Sequence, residues 1–80
     1  MNERLLLKGR LLDAKSRLKE MRLRADNFII LLRDIIDPYE EDFLKLNLER
    51  AQVTLADFIA LQNDAQKLNE QIKRLENEIG

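Results

Sequence analysis

The sequence predicts an all-α fold, an antiparallel two-helix coiled-coil hairpin, and three observations predict it. Two long stretches repeat apolar residues at alternating spacings of four and three, which lays one stripe along one side of a helix. The repeat breaks once, around Pro38, the one proline of the chain. The charges flanking the two stripes differ in kind, so the stripes are expected to pair with each other and to run in opposite directions. A surplus of apolar residues near the break predicts further assembly, most simply a dimeric four-helix bundle.

The first helix is expected over about residues 3–36. Leu7, Leu11, Ala14, Leu18, Met21, Ala25, Phe28, Leu32 and Ile35 follow the repeat without a miss, and all are apolar. Leu11, Leu18, Ala25 and Leu32 take heptad position a; the others take d. Gly9 lies opposite this stripe, where glycine weakens a helix by about 1 kcal/mol relative to alanine without breaking it. Pro38 ends the segment, because its ring clashes with the carbonyl four residues back and pushes Asp37 out of the α region.

A connection is expected over about 37–46, with a helical turn of its own. Asp37-Pro38-Tyr39-Glu40 also fits a helix start, with Asp at the cap, Pro at the first helical position and Glu at the third. Asn47 before Leu48-Glu49-Arg50 is the second candidate cap. The later start gives two arms of matched length, each about 50 Å at 1.5 Å per residue, so that neither stripe is wasted.

The second helix is therefore expected over about 47–79. Its stripe is Leu44, Asn47, Ala51, Thr54, Phe58, Leu61, Ala65, Leu68, Ile72, Leu75 and Ile79, with only Asn47 and Thr54 polar. Those two read as register pins or as the start of the helix. Gly80 is a natural stop.

Residues 1–24 hold eight Lys/Arg against three acidic residues, and residues 25–80 hold six against twelve. The e and g flanks of the first helix are Lys8, Arg10, Lys15, Arg17, Arg22 and Arg24. From residue 57 on, the second helix answers with Asp57, Gln62, Asp64, Asn69, Gln71, Glu76 and Glu78. An antiparallel hairpin lays these against each other. Size complementarity suggests Ala14 with Ile72, Met21 with Ala65 and Ala25 with Leu61, and charge suggests Arg17 near Asp64 and Arg24 near Asp57.

Near the connection the flanks turn apolar. Phe28, Ile29, Ile30, Leu31, Ile36, Leu48, Leu55 and Ile59 form the expected oligomer interface, because a helix apolar nearly all round is covered on several sides. A chain of 80 residues has a thin core, and oligomerisation is a common remedy.

Chemistry is sparse. There is no Cys and no His, so no disulfide framework, no thiolate and no imidazole base or metal ligand is offered. No catalytic, cofactor-binding or metal residue is nominated, and an enzyme is not expected. The acidic run Asp37, Glu40, Glu41 and Asp42 lacks the spaced ligands and glycine of a calcium loop and reads as capping in a solvated turn. Phe28, Phe43 and Phe58 read as core, and Tyr39 as packing over the turn. Arg10, Arg17 and Arg24 are candidate phosphate contacts in an alternative, nucleic-acid-associated reading. Against it, no aromatic stands among residues 1–24 to stack on a base. The longest apolar run, Phe28 to Leu32, is far short of the roughly 20 residues of a membrane helix. With charges Asp26, Arg33, Asp34 and Asp37 around it, this run is not read as an interfacial anchor either. The expected setting is soluble and cytoplasmic.

Arg4-Leu5-Leu6-Leu7-Lys8-Gly9-Arg10-Leu11-Leu12 and Leu32-Arg33-Asp34-Ile35-Ile36-Asp37-Pro38 resemble small helical proteins encoded by Mu-like transposable phages and prophages. The resemblance covers the first helix and the turn. It implies a phage accessory protein in a bacterial cytoplasm and brings with it no activity and no functional residues. The expected role is a non-enzymatic protein–protein interaction or oligomerisation module. Its partner is a second copy of itself, or another protein, rather than nucleic acid or membrane.

Overall fold

A computed structural model describes residues 2–80. Two helices fill it: α1 over Glu3–Ile35 and α2 over Leu48–Ile79. They fold back on each other as a helical hairpin with Cα extents of 63 × 17 × 15 Å.

Caps set the boundaries. The Asn2 side chain accepts from the Arg4 N–H at 3.0 Å and opens α1. Ile36 leaves the helix at φ −105°, ψ 72°, while its N–H still donates to the Leu32 carbonyl at 2.8 Å. Two residues later stands Pro38, which supplies no N–H to carry the ladder on. The connection is then a chain of local turns. Asp37 accepts from the Tyr39 N–H at 2.9 Å, Glu40 from Asp42 at 3.2 Å, and Asp42 from Leu44 at 3.1 Å. A single 3-10 turn spans Phe43–Lys45. Asn47 accepts from the Arg50 N–H at 3.1 Å and opens α2. Of the two candidate starts the chain takes the later one, because Asp37 caps only one turn. Gly80 closes α2 at φ +79°, a left-handed conformation that suits glycine, with its N–H on the Glu76 carbonyl.

Between the helices, burial follows the a/d stripe. In α1 the nine stripe residues are buried or half-buried, and outside the stripe only Leu31 is. In α2 the stripe from Ala51 to Ile79 is likewise covered, joined only by Asn69. Ala14 packs with Leu68 and Ile72, edged by Leu11, Leu18 and Met21. The Phe28 and Phe58 rings stack at 5.2 Å between centroids and 13° between planes. Both contacts belong to one antiparallel register, in which Ala14 lies level with Ile72 and Phe28 with Phe58. Carried along the repeat, it sets Met21 against Ala65, Ala25 against Leu61 and Ile35 against Ala51. Small faces large at each of these layers, which fills the space between the two backbones. Thr54 is buried in the same stripe, and among the described residues no buried polar side-chain atom lacks a partner.

Three expectations fail in the connection. Phe43, read as core, is 70% exposed, because it opens the 3-10 turn and faces neither helix's stripe. Leu44 continues the numerical repeat but is 78% exposed. It lies in the 3-10 turn before α2 starts, and a heptad count places side chains only while the backbone is α-helical. Tyr39 is 89% exposed rather than packed over the turn; only its backbone N–H is held.

Candidate interaction surface

An antiparallel hairpin has two edges. Along one run the g positions of both helices, along the other the e positions with b beside them. Surface grooves mark both. Arg17 shares a groove with Asp64, Glu70 and Gln71 on the g edge. Glu3, Leu6, Arg10 and Glu78 border another near the open end of the same edge. On the e edge, Arg22, Gln62, Gln66 and Asn69 flank the seam over Ala25 and Leu61.

Arg10, a candidate for phosphate contact, thus stands between Glu3 and Glu78, while Arg17 shares a mixed groove in which Lys67 and Arg74 stand beside Asp64 and Glu70. The third, Arg24, borders a hollow with Asn27, Phe28 and Leu31. Its acidic neighbour across the seam follows from the register. In an antiparallel pair each side chain leans toward the N terminus of its own helix. Arg24 is level with Gln62. Asp64 lies two residues, about 3 Å, beyond that level, so the two side chains converge. Asp57 lies about 7.5 Å off on the other side, and its side chain leans away. On this edge the register leans Arg24 toward Asp64 rather than Asp57, while Arg17 lines one groove with Asp64 and Arg10 another with Glu78.

The nominated interface residues fall into two groups. Phe28 is half-buried and spends its ring on Phe58 inside the hairpin; Leu31 is half-buried on the g edge. Ile29, Ile30, Ile36, Leu48, Leu55 and Ile59 are all exposed. Five of these six, Ile30 excepted, are e or b residues near the connection, so the fold gathers them on one face of both helices.

Sequence reasoning took Gln62 and Asn69 only as flanks answering the basic residues and missed Gln52 and Gln66, which complete this face. On α2, Leu48, Gln52, Leu55, Ile59, Gln62, Gln66 and Asn69 repeat at spacings of four and three and include no charge. That second stripe was visible as a spacing, but glutamines do not register in a search for apolar repeats. The acidic run proves to be turn chemistry: Asp37, Glu40 and Asp42 each accept a backbone N–H two residues on. Among the described residues, no helix is long and apolar enough to cross a membrane. Compared with protein-family models, curated proteins and solved structures, the chain matches none.

Proposed function

We propose that this chain is a non-enzymatic protein–protein interaction module that associates with itself through the connection-proximal half of the hairpin. The observation that carries this is the exposure, on one face, of Ile29 from α1 and Ile36 at its C-cap beside Leu48, Leu55 and Ile59 from α2. Covering such a face yields about 25 cal/mol per Å² of apolar surface. The hairpin also has reason to need it: among the described residues no large side chain is fully buried. The resemblance of α1 to Mu-like phage proteins suits an accessory module of this kind in a bacterial cytoplasm.

Light scattering at micromolar concentration tests the reading. The expected mass is at least twice the 9.5 kDa chain. Ile59→Asp should return it toward the monomer, because a carboxylate buried without a partner costs several kcal/mol. A parent protein that stays monomeric at high concentration would overturn the proposal. Phosphate contact is not part of it, since Arg10 stands between Glu3 and Glu78 and no aromatic stands among residues 1–24 to stack on a base. Electrophoretic shifts at about 150 mM salt should show nothing tighter than non-specific binding, on the order of 10⁻⁴–10⁻⁶ M. Nanomolar binding would restore the nucleic-acid reading.

A further inference from the structure

The self-association proposed above leaves open which surfaces meet and in what register. From the e/b face we infer that two copies stack this face on itself about a twofold axis running across both helices at the level of Ile29.

Two independent patterns place the axis there. On α1 the b residues Asp26 and Arg33 flank Ile29, and all three are exposed. A twofold between them sets Asp26 against the partner's Arg33, twice over, with the two Ile29 side chains meeting at the centre. On α2 the uncharged stripe has its own centre between Leu55 and Ile59. A twofold there sets Leu55 against the partner's Ile59, and Gln52 against the partner's Gln62. In these two pairs apolar meets apolar, and amides, which both donate and accept, meet amides; farther out Leu48 meets the aliphatic stem of the partner's Gln66.

Nothing in either helix alone requires the two centres to agree. The hairpin register supplies the link: with Phe28 level with Phe58, Ile29 lies level with Asp57, midway between Leu55 and Ile59. The two centres coincide to within about 1 Å at 1.5 Å per residue. One axis therefore serves the centre of both helices, as an isologous interface demands, and near the rim it sets the stem of Arg22 beside the partner's Ile36. Each helix then runs antiparallel to its own copy, and the two hairpins close a four-helix bundle over an overlap of roughly 27 Å. The g edge has no such symmetry. Leu31, Asn27 and Arg24 border it on α1, with the acidic Asp57 and Asp64 opposite, so it is complementary within one hairpin and not between copies.

Since the chain has no cysteine, single introduced thiols report the geometry. Ile29→Cys should oxidise to a disulfide-linked dimer. Leu12→Cys, on the same face but beyond the overlap, and Val53→Cys, on the opposite side of α2, should stay reduced. Charge reversal gives a second readout. Asp26→Arg should weaken dimerisation by about tenfold by creating two like-charge contacts. Adding Arg33→Asp should restore it to within about threefold. Circular dichroism confirms that each variant stays helical. A doubled mass with no Ile29→Cys link, or with charge effects that simply add, overturns this axis and leaves self-association standing. A monomeric parent overturns both.

Discussion

Asn47 decides where the second helix begins. Its side chain takes the Arg50 N–H, while Asp37, ten residues earlier and equally able to cap, is committed to the Tyr39 N–H. Short polar side chains end or begin helices by offering the backbone a local partner, and the first one placed to open a full helix wins. Gly9 is the reverse case, a residue the fold does not need. A Cβ built on it meets nothing within 4 Å, and it lies inside α1, where glycine gives up more backbone entropy than alanine. Gly9→Ala should stabilise the hairpin by about 0.5–1 kcal/mol, raising Tm by a few degrees with no change in mass. An unchanged or lowered Tm would mean that this turn of α1 is not helical in solution.

At the scale of the element, how much could be read depended on how regular the backbone is. The two helices and their facing stripes were legible because an α-helix turns a spacing of 3.5 residues into one covered side. The pairings Ala14–Ile72, Met21–Ala65 and Ala25–Leu61 followed from side-chain size alone, and the Ala14–Ile72 packing and the Phe28–Phe58 stack lie in that register. Phe43, Leu44 and Tyr39 were misplaced because all three lie where the backbone changes from turn to turn, and periodicity says nothing there. The e/b face was half legible: its isoleucines and leucines stood out, its glutamines did not. On the g edge Arg17 and Asp64, matched by charge, do line one groove, whereas the register sets Arg24 and Asp57 about 7.5 Å apart in level, since spacing gives the flanking residues but not the lean of their side chains. A double-mutant cycle separates the two alternatives. Arg24 and Asp64 should couple by about 0.2–1 kcal/mol at low salt, fading as salt is added, while Arg24 and Asp57 should not couple. Coupling only to Asp57 would move the register.

The whole molecule is a rod, 63 Å long and 17 Å across between Cα extremes. A rod elutes ahead of a sphere of equal mass, so its oligomeric state has to be read from scattering rather than from elution volume. The rod is also closed at one end only, and that single connection sets the order in which it comes apart. The layer of Ile35 and Ala51 closes a short loop, whereas Leu7 and Ile79 meet only across nearly the whole chain. Each layer away from the turn is held by the one before it, and closing it alone from the coil costs more entropy. The hairpin should therefore behave as a zipper, opening from its termini inward. Amide exchange should be fastest in Leu7–Leu11 and Leu75–Ile79 and slowest around Phe28 and Phe58. Equal protection along both helices would mean that the two arms open together, as one cooperative unit.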